Sequence, residues 1–380
     1  MYSEEFYRVA LTLMEGFGPA TMKKMLRLAG SAANVFVKKD LWMSQVRKRG
    51  KAALVLSISD ALRRRVDEEL RLMDRNGVRQ CFYLDGDYPY RLKSCADGPL
   101  AFYYQGARDF NAPRMLAVVG TREATEYGRS AVRKVLSELG DADVATVSGL
   151  AYGIDTEAHS RSLEYGLRTL AVMGCGLGTV YPSQNRRLAA QIVEQGGSLV
   201  SEYSYQTQPD RLNFPRRNRI VAGMVDAVLV AETAEKGGSI ITAHIAQSYN
   251  RDVFAIPGSI FDSHFEGCHA LIRKNIAAMV TSGADLLEMM NWEPHAMGVQ
   301  TSLFVELTDE EQQVIDLIRA SGSTPIDALS EALPDFSPSK LAGLLLGLEL
   351  KDVIECRPGK IYSLTMTSVG SSRRHLTDRP

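Results

Sequence analysis

"DAVLVAETAEKGGSIITAHIAQSYNRDVFAIPG", residues 226–258, reads as strand, glycine turn, helix, strand. The apolar runs "DAVLVAET" and "RDVFAIPG" bracket a helix-like "SIITAHIAQSYN". The same rhythm runs back through "RMLAVVG", "VATVSG", "RTLAVMG" and "GSLVSEY", with "EYGRSAVRKVLSEL", "DTEAHSRSLEYG", "SQNRRLAAQIVEQ" and "RRNRIVAGM" between them or after. A further helix-like stretch, "CHALIRKNIAAMV", follows. Near-continuous apolar strands alternating with helices specify a parallel sheet covered on both faces. The fold class is therefore α/β, a doubly wound parallel sheet. Ligands of such sheets sit beyond the carboxyl ends of the strands, and that edge carries "GTR", "SGLAYG", "GCGLG", "SEYS" and "ETAEKGGS".

The flanks have a different texture. Residues 1–78 read as a small helical domain. Its apolar residues recur at helical spacing in "FYRVALTLMEGFGPATMKKMLRLAG", with a break at Gly16, Gly18 and Pro19. A charge-rich amphipathic helix then ends at Asn76-Gly77. The sheet domain is taken as 79–290, and its first part, 79–110, holds short β-like pieces around Asp85-Gly86, Tyr88-Pro89 and Gly98-Pro99 that read as a docking connector. Residues 291–307 read as a linker. From 308 to 365 come a helix opened by the capping box Thr308/Glu311, two more helices and a hairpin over Pro358-Gly359, the order of a winged helix. Residues 366–380 read as a disordered tail.

With 380 residues and a formal charge of −1, the chain is not a globally basic, histone-like DNA binder. A local basic patch remains open, because phosphate binding responds to nearby charge. Its five cysteines form no CxxC pair, which suits reduced thiols rather than a disulfide framework. The start, "MYSEEFYRVALTLMEG", lacks the basic, apolar and small-residue regions of a signal peptide. No run reaches the roughly 18 apolar residues of a membrane span. A cytoplasmic protein is expected.

"AVVGTREATEYGRS" (117–130) is a strand, a tight turn and a helix start. The turn either presents backbone N–H groups and Arg122 to an anion, or is an ordinary turn with a solvated arginine. "EKGGSIITAHIA" (235–246) is either a second cradle, with Gly237 and Gly238 allowing close approach and Ser239 at the helix start, or a glycine loop used only for packing. "DRLNFPRRNRIVAG" (210–223) puts Arg211, Arg216, Arg217 and Arg219 around a helix start, where cations oppose the dipole. That argues against a purely structural role. Phe214 beside them suits stacking of a base next to bound phosphate. Arg217 is taken as the phosphate contact, Arg216 as an outer contact and Arg219 as an internal salt-bridge partner.

"MGCGLGTVYPSQN" (173–185) fails GxGxxG because position 179 is threonine, and no GxxxxGK[ST] occurs. A dinucleotide site and a P-loop are disfavoured. Asp155 and His159 lie one helical turn apart, either an acid–base pair or, the favoured reading, a simple structural i, i+4 pair. His264, Cys268 and His269 lack a fourth ligand at tetrahedral spacing. No catalytic residue, metal or cofactor is expected.

Taken together, "AVVGTREATEYG", "VSGLAYGIDTEAH", "TLAVMGCGLGTVYP", "SEY", "FPRRNRIVAG", "GGSIITAHIA" and "VFAIPGSIF" resemble, in order and spacing, DNA processing protein A, the DprA/Smf family. "DGDYPYRLKSCADGPLAFYYQG" is similar to that family's lead-in. "GFGPATMKKML" resembles a SAM-like or helix-hairpin-helix module, and the C-terminal unit resembles the family's winged-helix appendage. The resemblance implies an extended Rossmann-like domain that binds single-stranded DNA without turnover. It implies a homodimer that protects incoming DNA in natural transformation and loads the recombinase RecA. Its phosphate pocket would fall on Gly120, Thr121 and Arg122, on Arg211, Phe214, Arg217 and Asn218, and on Gly238, Ser239 and Thr242. This chain departs from the family pattern at Tyr152, where an arginine is usual, at His269, usually asparagine, and at Ile276, usually glycine. The last two lie in the region implied to dimerise.

Two other classes are weighed. A nucleotide-hydrolysing enzyme of the related lysine-decarboxylase-like class would carry "PGGxGTxxE", but "EKGGSIITA" lacks the glutamate. A transcription regulator would read bases with "SPSKLAGLLLGLELKD", yet Lys340 and Lys351 are its only basic residues.

Overall fold

A computed structural model of the chain describes residues 2–14, 16–43, 57–292, 307–351, 353–357 and 359–364. It divides into two compact units, Met1–Pro294 and His295–Pro380. Most of the linker expected at 291–307, the tail expected at 366–380 and the hairpin residue Pro358 lie outside the described residues.

The first unit opens with helices α1 (Glu4–Leu13), α2 (Pro19–Ala29), α3 (Ala32–Val37), α4 (Asp40–Met43) and α5 (Asp60–Arg75). Ser3, Ser31 and Ser59 cap α1, α3 and α5 by accepting from first-turn amides, and Pro19 opens α2 where its missing N–H costs nothing. These helices share one apolar core with the segment that follows them. Polar contacts fix the docking. Arg8 donates to Asp85 at 2.8 Å, and the Thr12 and Tyr103 hydroxyls meet at 3.0 Å. Lys23 is buried, donates to the Cys95 carbonyl at 3.3 Å and lies 4.9 Å over the Tyr83 ring. Burial lowers its pKa to about 8.

The segment read as a connector adds to the sheet itself. Strands β1 (Arg79–Phe82) and β2 (Ala101–Gly106) flank a short helix, α6 (Tyr90–Lys93), and β2 pairs antiparallel with β6 (Ser198–Ser201). Arg91 in α6, almost fully buried, forms a fork–fork pair with Asp226 at 2.5 and 2.7 Å. This ties the lead-in to the start of β7 (Ala227–Glu232).

The remaining elements follow the expected alternation. They are β3 (Arg114–Gly120), α7 (Glu126–Ser137), β4 (Val144–Ser148), α8 (Ile154–Glu164), β5 (Thr169–Met173), α9 (Arg186–Glu194), β6, α10 (Asn213–Gly223), β7, α11 (Gly238–Ser248), β8 (Asp252–Ala255), α12 (Glu266–Arg273), β9 (Ala278–Met279) and α13 (Gly283–Met289). The sheet order is β1-β2-β6-β5-β4-β3-β7-β8-β9, parallel from β6 through β9. Alternate residues of β3 enter different cores. Met115, Ala117 and Val119 pack with Ile220 and Val221 of α10 and Ala243 of α11, whereas Leu116 and Val118 pack with Val132 of α7 and Ile154 of α8. That is the two-sided burial a parallel sheet requires. The winding direction reverses between β3 and β7, so their exit turns diverge and leave a crevice, the usual ligand position in this fold.

The second unit holds α14 (Asp309–Ser321), β10 (Thr324–Pro325), α15 (Ile326–Ala332), α16 (Pro338–Leu350), β11 (Ile354–Arg357) and β12 (Ile361–Leu364). The Thr308/Glu311 capping box forms as expected. Three helices packed on a β10-β12-β11 sheet make a winged helix around Val314, Ile318, Leu341 and Leu345.

Candidate functional site

A cleft of about 670 Å³ opens at the carboxyl ends of β3, β4, β5 and β7, and ten of the eleven residues singled out in the sequence line it. Gly120, Thr121 and Arg122 come from the turn after β3. Arg211, Phe214, Arg217 and Asn218 come from the entry and first turns of α10, and Gly238, Ser239 and Thr242 from α11. Arg216 is the exception: it is exposed on α10 and outside the lining.

The turn after β3 is locked from two sides. Thr121 N–H donates to the Glu232 carbonyl at 2.8 Å, and Ile154 N–H donates to the Thr121 carbonyl at 3.1 Å. Gly153, at φ 74°, makes room, since a Cβ there would stand 2.3 Å from that Thr121 oxygen. The start of α7 behind this turn is already occupied. The buried Glu232 carboxylate accepts from the Thr125 amide at 3.0 Å and its hydroxyl at 3.1 Å. Thr125 in turn caps Gly128 N–H at 3.1 Å. A Cβ on Gly128 would fall 1.8 Å from Glu232 Oε2, so glycine is needed there. The sequence left this helix start open as an anion cradle. The structure corrects that reading: the protein's own carboxylate neutralises the positive end of α7, and the turn presents Arg122 rather than helix amides.

Helix α11 is built differently. Its N-cap, Gly237, offers no side-chain acceptor. Gly238 faces open space, with nothing within 4 Å of where a Cβ would be. Ser239 is buried, and its Oγ has no hydrogen-bond partner among the described residues. Ile240 N–H donates to the Gly237 carbonyl at 3.2 Å, which leaves the Gly238 and Ser239 amides, the positive helix end and an unmatched buried hydroxyl as groups able to receive an anion.

Arg122 stands exposed across the cleft and makes no ion pair among the described residues. Its guanidinium carbon lies 5.3 Å from the centroid of the Phe214 ring, a cation–π distance. Phe214 sits 5.5 Å from Tyr181 at a tilt of 38°. Tyr181 lines the cleft and is 43% exposed. The sequence reading of 173–185 gave it no role.

Arg217 is not an open contact. It is 5% exposed. Its Nη1 donates to the Gly149 carbonyl at 2.7 Å and also to the Val172 carbonyl, and its Nε donates to Asn218 Oδ1 at 3.2 Å. It thus clamps the ends of β4 and β5 beneath the cleft. Burial lowers its pKa, with Asp155 opposing the shift. Asp155 Oδ2 accepts from the amides of Gly149 at 3.1 Å and Ala151 at 3.2 Å, and burial raises its carboxyl pKa against the pull of Arg217. His159 lies fully buried with Nδ1 2.7 Å from Thr169 Oγ1, and burial lowers its pKa to about 3. Asp155 and His159 therefore serve separate structural contacts. Arg219 pairs with Glu202.

The family model for "DNA recombination-mediator protein A" matches residues 79–291, and that for the "DprA winged helix domain" matches residues 304–360. The chain belongs to the DNA recombination-mediator protein A family, DprA/Smf. It is 44% identical over 204 residues to DNA processing protein DprA of Streptococcus pneumoniae, covering 54% of this chain and 71% of that one. It is 33% identical over 332 residues to the putative DNA processing protein DprA of Mycobacterium tuberculosis, covering 82% and 85%. The crystal structure of the S. pneumoniae protein superposes with a TM-score of 0.60 at 33% identity, covering 76% of this chain and 98% of that one. A Helicobacter pylori DprA, described with a single-stranded DNA binding mode, superposes with a TM-score of 0.50 at 27% identity, covering 56% and 95%.

The three positions singled out in the sequence as departures from the family pattern each have local contacts. Tyr152 is exposed and its hydroxyl donates to Gln184. His269 Nε2 lies 3.1 Å from the Gly258 carbonyl, and Ile276 is half-buried against the main core. The metal-type grouping among the described residues is Cys81, Asp85 and Asp87. Its carboxylates already pair with Arg8 and Arg108, and burial pushes the Cys81 thiol up to about 12. That grouping does not suit a cation. No helix among the described residues is long and apolar enough to cross a membrane.

Proposed function

We propose that this chain binds single-stranded DNA in the cleft without reading sequence. The observation that carries the proposal is the juxtaposition of the uncapped α11 start with Arg122, whose guanidinium lies over Phe214 beside Tyr181. One side holds phosphate, and the other offers aromatic faces to unpaired bases. Gly120, Thr121, Arg122, Arg211, Phe214, Asn218, Gly238, Ser239 and Thr242 form the contact surface, Arg216 lies on its margin, and Arg217 supports it from below.

The same reading takes the protein as a mediator rather than an enzyme. Asp155, a carboxylate in the lining, is buried and held by the Gly149 and Ala151 amides, so it supplies no free general base. The chain would act in the cytoplasm as a homodimer through the region of α12 and β9, where Met279 is exposed on an edge strand. It would protect incoming strands and load a RecA recombinase. The family membership and the description of the H. pylori relative support this reading.

Titration with single- and double-stranded oligonucleotides at two salt concentrations tests it. Single strands are expected to bind about tenfold tighter or more, since a duplex hides the base faces worth ~1–3 kcal/mol each in stacking. The logarithm of affinity should fall with that of salt by ~0.7 for each phosphate neutralised. Equal affinity for duplex, or release of free base from a nucleotide, would contradict the proposal.

A further inference from the structure

The aromatic wall of the cleft is held from outside the sheet domain. Tyr181 ends the turn that follows β5, and the Phe214 ring lies against Gly174 at the start of that turn. The turn is stitched to the segment after β6: Gly176 N–H donates to the Thr207 carbonyl at 2.8 Å and Gly178 N–H to the Tyr205 carbonyl at 2.9 Å. That segment closes on itself through Thr207 N–H to the Ser204 carbonyl at 2.9 Å, then runs on to Arg211 and α10. The Tyr205 amide, however, donates to Glu69 Oε1 at 2.7 Å. Glu69 belongs to α5, in the N-terminal helices.

Glu69 is 5% exposed and has no ion-pair partner among the described residues. A carboxylate is costly to bury in this way unless it is hydrogen-bonded. Burial raises its pKa, and the Tyr205 amide is the leading influence in the opposite direction. The bond spans 136 positions of chain and is charge-assisted.

We propose that Glu69 is a positioning residue for the cleft: by holding Tyr205 N–H, the N-terminal helical module sets the turn that carries Tyr181 and with it the Tyr181–Phe214 wall on which bases stack. This rests on the single-strand binding proposed above. The module is then part of the binding apparatus without touching the ligand.

The test uses the full chain and an oligo-dA carrying 2-aminopurine, whose emission reports stacking on aromatic rings. Glu69→Leu removes the acceptor. It is expected to lose about five- to tenfold in affinity, less than the full worth of one charge-assisted hydrogen bond because Glu69 acts through the turn and not on the ligand, together with much of the stacking signal. Its salt slope should match the parent's, because Arg122 and the α11 start are untouched. Glu69→Gln keeps an acceptor oxygen and is expected to bind within about twofold of the parent, given that equivalent geometry. Glu69→Asp withdraws the carboxylate by one methylene and should show a smaller loss of the same kind. It carries the test should the leucine variant fail to fold. In a Tyr181→Ala background, Glu69→Leu should add little. Leucine and aspartate variants that stack like the parent would overturn the proposal, as would a loss of affinity with a changed salt slope and intact stacking. Absence of single-strand binding by the parent chain would instead overturn the function on which it rests.

Discussion

Arg122→Ala is expected to weaken single-strand binding by about ten- to a hundredfold, the cost of one charged phosphate contact at ~1.5–3 kcal/mol. The thermal midpoint should stay essentially that of the parent. Both halves follow from its position. Arg122 is exposed, makes no ion pair among the described residues and touches the fold mainly through the face of Phe214. Removing it leaves no buried group unpaired. The salt dependence should become shallower by ~0.7 in slope, one phosphate fewer. Arg122→Lys should recover part of the affinity, because a lysine keeps the charge and loses the planar stacking of a guanidinium on a ring. An Arg122→Ala protein that binds like the parent would show that the phosphate path lies elsewhere.

Arg217→Ala is expected to act on the fold first. The substitution strands the Gly149 and Val172 carbonyls and removes the positive charge that favours the buried Asp155 carboxylate. Leaving a buried hydrogen-bonding group unsatisfied typically costs ~1–3 kcal/mol, so a lowered thermal midpoint and a lower denaturant midpoint are expected. Binding falls as a consequence, because β4 and β5 end directly under the cleft. The two arginines therefore separate cleanly: one changes affinity and salt slope at constant stability, the other changes stability. An Arg217→Ala protein with an unchanged midpoint and lost binding would restore Arg217 as a direct phosphate ligand, the role its place in "FPRRNR" suggested.

Much of the architecture was legible because it is written at short range. The apolar runs of β3 to β8, the glycine turns that end them and the Thr308/Glu311 box are local patterns, and local patterns survive folding. Ten of the eleven residues singled out meet in one cleft, since a doubly wound sheet brings all strand exits to one edge. What was not legible depends on partners distant in sequence. Nothing near "TREATEYG" announces that Glu232, 107 positions on, closes the start of α7. Arg217 could not be told from its neighbours, because its burial is set by carbonyls at the ends of two other strands. Tyr181 was hidden by the same logic: its value lies in the ring it faces, Phe214, and not in its own neighbours. The lead-in strands were read as a connector because β2 finds its partner in β6, far along the chain.

The central claim is that the start of α11, and not that of α7, receives the phosphate. Hydrogen exchange with and without a saturating single-stranded oligonucleotide tests it at the amides themselves. The account predicts new protection at Gly238 and Ser239, with the amides of Thr125 and Gly128 unchanged, because Glu232 and Thr125 already hold them. New protection at 125–128 with none at 238–239 would contradict it.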